Sequence, residues 1–188
     1  MNDKYKYLKN NKNVIMKMAK GLKIGDDAPL FKLESYNAGV IDLGELIGSQ
    51  KIVIIFSRYF GCPICQLDLN ELLKNVNDIE EKRAKLLYIT QSGEEIAKKF
   101  INEKNITFPV ISSSKDELYA TYGLGLMTAG AFTKVRSKLK AAKQEGIEHG
   151  EFEGWEKQGP GQFVVDQSGK IIHEQAGWLD ISSLLEVL

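Results

Sequence analysis

The chain of 188 residues contains only two cysteines, two histidines and four prolines. Two cysteines cannot complete a four-ligand zinc site alone, and the two histidines, His149 and His173, are not at ligand spacing. Lysine plus arginine equals aspartate plus glutamate, at 25 each, so the overall charge favours no polyanionic partner. We therefore expect neither a metal site nor a nucleic-acid ligand.

The sequence also lacks a long apolar run near its start. The lysine-rich N-terminal region offers only the apolar segment VIM at residues 14–16. This segment is too short for the core of a signal peptide or for a membrane span. These absences predict a cytoplasmic protein without membrane contact, in which thiols are kept reduced and a structural disulfide is disfavoured.

Strand and helix patterns alternate along a single unit. Residues 1–23 read as a polar arm compatible with a helix, and residues 24–188 as one domain. Alternating residues on both sides of an NAG turn predict an N-terminal β-hairpin. Buried-strand patterns and helical stripes then follow in turn, ending in the hairpin QFVVDQSGKIIHEQAG and a helix N-capped by Asp180. The order predicts an α/β fold with a central mixed sheet flanked by helices.

Both cysteines lie where a buried strand gives way to a helix, in KIVIIFSRYFGCPICQLDL. Cys62 is predicted at the mouth of the helix, where free N–H groups and the helix dipole stabilise a thiolate. Pro63 suits the first helical turn. Cys65 lies one turn later and starts the apolar stripe, so it should point inward. This asymmetry predicts an attacking thiol, Cys62, and a resolving thiol, Cys65.

An alternative is that the two cysteines are merely small buried side chains. Their spacing of three residues at a strand–helix junction, with no cysteine elsewhere, favours redox chemistry instead.

The cysteine segment, preceded by IGDDAPLFKLES and followed by GPGQFVVDQSGKIIHEQAG, resembles the alkyl hydroperoxide reductase/thiol-specific antioxidant (AhpC/TSA) family. It is most similar to the peroxiredoxin-like branch with a C-x-x-C centre. The resemblance implies a thioredoxin-like fold from about residue 24 to the end. It further implies that Pro160 is a cis-proline facing Cys62, and that the backbone of Gly159 pairs with an extended substrate.

The sequence departs from true peroxiredoxins in two places. Those proteins carry threonine or serine three residues before the reactive cysteine, whereas Tyr59 stands here. Those proteins also carry a distant arginine, whereas Gly161 or Gln162 stands near its place in this sequence. Arg58 is a candidate for supplying the missing positive charge to a thiolate or a leaving oxygen. The alternative for Arg58 is a surface residue at a strand end.

The acidic, glycine-rich run EGIEHGEFEGWEKQGPG predicts a loop that overhangs the thiols. Trp155 in this loop either contacts a substrate or anchors the loop to the core, and anchoring is the more common role of such an aromatic residue.

Together these features predict a peroxiredoxin-like thiol oxidoreductase, either a peroxidase or a thiol–disulfide reductase, that needs no cofactor. An external thiol reductant such as thioredoxin is expected to reduce its Cys62–Cys65 disulfide. The alternative is a redox sensor or binding module whose disulfide switches partner binding. Both a monomer and a homodimer are compatible with the sequence.

Overall fold

The structure is a computed structural model that describes residues 21–113 and 117–188. Most of the predicted arm at residues 1–23, and the start of the helical patch KDELYATYGL, lie outside the described residues. Among the helices that are described, none is both long and apolar enough to cross a membrane.

The predicted hairpin precedes the main sheet. Strands β1 (Lys32–Glu34) and β2 (Val40–Asp42) pair antiparallel. The short helix α1 (Leu43–Leu46) follows directly, and the Asp42 carboxylate accepts a hydrogen bond from the Gly44 N–H to cap its first turn.

The main sheet has five strands in the order β5-β4-β3-β6-β7. The first three in the chain are parallel, whereas β6 runs antiparallel to both β3 and β7. Their bounds are β3 (Lys51–Phe56), β4 (Ala84–Thr90), β5 (Val110–Ser112), β6 (Gly161–Val165) and β7 (Ile171–Ala176). The predicted mixed sheet is confirmed.

Helices pack on both faces of this sheet, except that the sixth described helix packs on the second. They are α2 (Pro63–Lys74), α3 (Val76–Glu81), α4 (Glu94–Lys104), α5 (Glu117–Thr121), α6 (Ala129–Gln144) and α7 (Ile181–Val187). The stripe predicted as one helix from Cys65 to Ile79 is interrupted at Asn75. Its side-chain amide donates to the Glu71 carbonyl, and this local bond competes with the helical backbone pattern.

The central strand β3 explains the apolar run KIVIIF. Ile52, Ile54 and Phe56 belong to the core on one face of the sheet, and Val53 and Ile55 to the core on the other. A strand covered on both faces requires apolar residues at every position. The carboxyl end of this rigid strand leads directly to the two cysteines.

Candidate active site

Cys62 lies at the N-terminus of α2, just beyond the carboxyl end of β3. Its backbone is extended (φ −75°, ψ 121°), and the helix that it caps begins at Pro63. Both cysteines are free thiols, and each is only 3% exposed. The free N–H groups of the first helical turn therefore face a buried sulfur atom, an arrangement that stabilises an anion.

The surroundings of the two thiols separate their pKa values. A hydrogen bond with the Cys65 thiol is the main cause that lowers the pKa of Cys62 to about 6, and burial opposes it. Arg58 and the backbone N–H groups of Cys65 and Ile64 also lower the pKa of Cys62. Burial is the main cause that raises the pKa of Cys65 well above its ordinary value. The site thus holds one thiolate and one protonated thiol near neutral pH.

Arg58 contacts the sulfur atom of Cys62. Its Nη1 lies 3.5 Å from Cys62 Sγ, and its Nη2 donates to the Glu156 carbonyl oxygen. The guanidinium carbon lies 5.3 Å from the centre of the Tyr59 ring and 5.8 Å from that of Trp178. Nε of Arg58 is buried without a partner among the described residues. The structure therefore places this cation inside the thiol site rather than at the open surface.

Replacing Arg58 with glutamine should raise the pKa of Cys62, because the charge that favours the thiolate is lost. We expect the midpoint of the pH dependence of iodoacetamide alkylation to move upward by about one unit from its wild-type position. Arg136, exposed on α6, provides the matched control, and Arg136→Gln should leave the midpoint in place. An unchanged midpoint in Arg58→Gln would contradict an electrostatic role for this residue.

Tyr59, which stands where peroxiredoxins have a hydroxyl near the cysteine, is directed elsewhere. Its side chain is 1% exposed, and its hydroxyl lies 3.2 Å from Nε2 of His149. Burial raises the pKa of Tyr59 to about 12, so this phenol stays protonated at neutral pH. Among the described hydrogen bonds, Cys62 Sγ is therefore contacted by the side chain of Arg58 and not by that of Tyr59.

The predicted cis bond before Pro160 needs correction, whereas the predicted contact of Gly159 and Pro160 with a substrate stays a prediction. No peptide bond between described residues is cis, so the Gly159–Pro160 bond is trans, which is the favoured isomer of most X–Pro bonds. The Gly159 N–H already donates to the Gly125 carbonyl at 2.7 Å, and the Gly159 carbonyl accepts from Gln158 Nε2 at 3.0 Å. The N–H of Gly159 therefore already has a partner within the fold, and its carbonyl oxygen keeps one lone pair for a second hydrogen bond.

Sequence reasoning missed a buried ion pair close to Cys65. Asp68 Oδ1 lies 2.5 Å from Lys138 Nζ, and Asp68 Oδ2 accepts a hydrogen bond from the Leu179 N–H at 3.0 Å. The two side chains are only 13% and 18% exposed. Burial raises the pKa of Asp68 to about 6, against the opposing effect of Lys138. A carboxylate three residues after Cys65, inside an apolar helical stripe, was the available sequence signal.

Asp68 and Cys65 share a small cavity. Its volume is about 20 Å³, and it is also lined by Tyr88, Pro160 and Trp178. A space of this size accommodates one water molecule. The buried thiol and a carboxylate able to accept a proton near neutral pH therefore border the same small space.

Comparisons with known proteins agree with this geometry. Alkyl hydroperoxide reductase E from Mycobacterium tuberculosis is 24% identical over 174 residues, covering 87% of this chain and 98% of that protein. Thiol-disulfide oxidoreductase ResA from Oceanobacillus iheyensis is 23% identical over 138 residues, covering 71% of each. The crystal structure of peroxidoxin BcpB from Mycobacterium tuberculosis matches with a TM-score of 0.66 at 16% identity, covering 88% of this chain and 96% of that one.

The structural match confirms the predicted thioredoxin-like fold. Residues 24–174 match the model of the AhpC/TSA family. Because this match runs from the segment before the N-terminal hairpin into β7 and includes both cysteines, the chain belongs to the AhpC/TSA family.

Proposed function

We propose that this protein is a thiol-dependent oxidoreductase that reduces peroxides or disulfides at Cys62, with Cys65 resolving the adduct. Membership of the AhpC/TSA family and the two kinds of relative, a hydroperoxide reductase and a thiol–disulfide oxidoreductase, support this class of enzyme. The observation that carries the proposal is the position of Cys62 at the N-terminus of α2, in contact with the Arg58 guanidinium.

With a hydroperoxide, the Cys62 thiolate attacks one oxygen and the O–O bond breaks. The departing oxygen leaves as water or an alcohol after taking a proton, and Cys62 becomes a sulfenic acid. The Arg58 guanidinium, 3.5 Å from the sulfur, is placed to stabilise negative charge on the departing oxygen. Cys65 then attacks the Cys62 sulfur, the oxygen of the sulfenic acid leaves as water, and the internal disulfide forms.

With a disulfide, the Cys62 thiolate attacks one sulfur and releases the other as a thiol. Cys65 then displaces the second half of the substrate from the mixed disulfide. Both reactions end in the same Cys62–Cys65 disulfide. Two electrons from an external dithiol donor of the thioredoxin type return the enzyme to its reduced form, and no bound cofactor takes part.

Asp68 is proposed to accept the proton that Cys65 must lose before it attacks. Both side chains line the same water-sized cavity, and a pKa of about 6 leaves Asp68 mostly ionised at pH 7. Transfer through one water would deliver the Cys65 proton to this carboxylate. Lys138 and the Leu179 N–H hold the carboxylate in place.

Asp68→Asn should therefore slow resolution about 10- to 100-fold at pH 7 while leaving the first reaction of Cys62 within about twofold. Asparagine keeps an acceptor for the Leu179 N–H but cannot take a proton. Rapid-quench mass spectrometry that follows sulfenic acid and disulfide separately would measure the two steps. Glu71→Gln, on the same helix but outside the cavity lining, is the matched control. Equal resolution rates in all three proteins would exclude Asp68 as the proton acceptor.

The proposed function is tested by oxidising the reduced protein with one equivalent of hydrogen peroxide, or of a small disulfide. Mass spectrometry should find a Cys62–Cys65 disulfide, and NADPH should be consumed continuously with thioredoxin and thioredoxin reductase. A reaction no faster than that of a free cysteine thiolate at the same pH would remove peroxidase activity. Disulfide formation without turnover would instead favour a redox switch.

A further inference from the structure

The segment 146–158, here called the strap, lies directly on the loop that leads to Cys62. The Gly150 N–H donates to the Gly61 carbonyl at 2.9 Å. A Cβ atom on Gly61 would lie 2.1 Å from the Glu151 carbonyl oxygen, and one on Gly150 would lie 3.1 Å from Gly61 Cα. The two backbones therefore touch, and glycine at both positions permits this approach.

The carboxylate of Glu153 fastens the strap to the start of α4. It accepts the Gly93 N–H at 2.7 Å and the Ser92 hydroxyl. Because the N-cap of α4 is a glycine without a side chain, the strap supplies the cap. The same Ser92 oxygen accepts the Phe60 N–H at 2.8 Å, so Glu153 is linked through one residue to the cysteine loop.

Further contacts hold the strap beside the reactive thiol. Arg58 donates to the Glu156 carbonyl, and Nε2 of His149 lies 3.2 Å from the Tyr59 hydroxyl. Gln91 binds both the N–H of Trp155, at 2.8 Å, and its carbonyl, at 3.4 Å. The prediction that the aromatic side chain of Trp155 anchors the loop to the core is wrong: Trp155 is 39% exposed, and its backbone makes the anchoring hydrogen bonds.

A second group of residues also encloses Cys62. Ala131 and Trp178 form a buried cluster with it, and Met127 packs against that cluster. The N–H of the Trp178 indole donates to the Ala131 carbonyl at 2.9 Å, which fixes this wall to the first turn of α6. Apart from one antiparallel bridge at its end, between Gln158 and Leu126, the strap has no helix or strand of its own, so it is the wall that can open at lower cost.

We propose that the strap, held by Glu153 and the Gly61–Gly150 contact, selects the oxidant of the reduced enzyme. With the strap in place, hydrogen peroxide and other small hydroperoxides reach Cys62, whereas bulky hydroperoxides and disulfides require the strap to be displaced. This inference rests on the proposed function, because it names the substrate class of the same thiol. The reaction is the peroxide reduction described above, with its electrons supplied by the two cysteines.

The test compares reagents that differ in size but not in charge. Alkylation of Cys62 in the reduced protein is followed by mass spectrometry with iodoacetamide and with the larger N-(1-pyrenyl)maleimide. Oxidation is followed by stopped-flow fluorescence with hydrogen peroxide and with cumene hydroperoxide. For each pair we take the ratio of the rate constant with the large reagent to that with the small one. Changes in thiolate content cancel in this ratio, so it reports access to Cys62.

Glu153→Ala should raise both ratios about tenfold, because the cap and its charge-assisted hydrogen bonds are lost. Gly150→Ala should act in the same direction by pushing the strap from Gly61. The rates with hydrogen peroxide and iodoacetamide should stay within about twofold in both variants, since access of small reagents is not limiting. Glu151→Ala changes an exposed carboxylate on the same strap and should leave both ratios at the wild-type value.

Unchanged ratios in both Glu153→Ala and Gly150→Ala would overturn the proposal. So would a wild-type protein that shows the same size ratios as a free thiol. Failure of the proposed peroxidase function is recognised separately, by slow oxidation with hydrogen peroxide in the wild type. The alkylation ratios still decide the role of the strap in that case.

Discussion

Replacing Cys62 with serine is expected to abolish turnover with peroxides and disulfides, by at least about 1,000-fold, because serine cannot form a comparable nucleophile near neutral pH. The variant should fold normally, since the exchange of sulfur for oxygen at a helix N-cap keeps a favourable capping residue. NADPH consumption coupled to thioredoxin and thioredoxin reductase measures this loss.

Cys65→Ser is the informative partner variant. The serine hydroxyl can still donate a hydrogen bond to the Cys62 thiolate, so the first oxidation should be retained. No internal disulfide can form, and the sulfenic acid on Cys62 should accumulate and react with dimedone. Full loss of peroxide reactivity in Cys65→Ser, or full turnover in Cys62→Ser, would contradict the assignment of attacking and resolving thiols.

Phe56→Ala is expected to lower the free energy of unfolding by about 3–5 kcal/mol, more than any other variant proposed above, since it removes a fully buried aromatic ring. Phe56 is 1% exposed, and its ring centre lies within 6 Å of those of Tyr119, Tyr122 and Phe163. For a domain of this size the melting temperature should fall by roughly 10 °C.

Thermal unfolding monitored by circular dichroism measures this change. The matched control is Phe132→Ala on α6, because Phe132 is 72% exposed and its removal should shift the free energy of unfolding by no more than about 0.5 kcal/mol. A similar loss in the two variants would mean that the cluster around Phe56 is not part of the cooperative core.

The parts of the fold that follow from neighbouring residues could be predicted from the sequence. The apolar run of β3, Pro63 in the first helical turn and the stripe that begins at Cys65 are all local signals, and together they located the thiol pair. Asp180 as an N-cap is another local signal, and its carboxylate accepts the Ser183 N–H as expected.

What the sequence could not supply are contacts between distant segments. Asp68 and Lys138 are 70 residues apart, so nothing near either residue indicates that they pair. Lys138 belongs to a helix with many basic residues, and such a sequence pattern is typical of a solvent-exposed helix face. The strap contacts of Glu153 depend likewise on Ser92 and Gly93, 60 and more residues earlier. The trans bond before Pro160 could likewise be predicted only with knowledge of the distant backbone partners of Gly159.

The occupied backbone of Gly159 bears on how a polypeptide would dock here. A partner that adds itself as a strand obtains much of its affinity from main-chain hydrogen bonds, which depend little on its sequence. Since the Gly159 N–H already donates to the Gly125 carbonyl and the Gly159 carbonyl already accepts from Gln158, that general source of affinity is reduced at this position. Recognition of a polypeptide at this position would then depend more on its side chains than on its main chain.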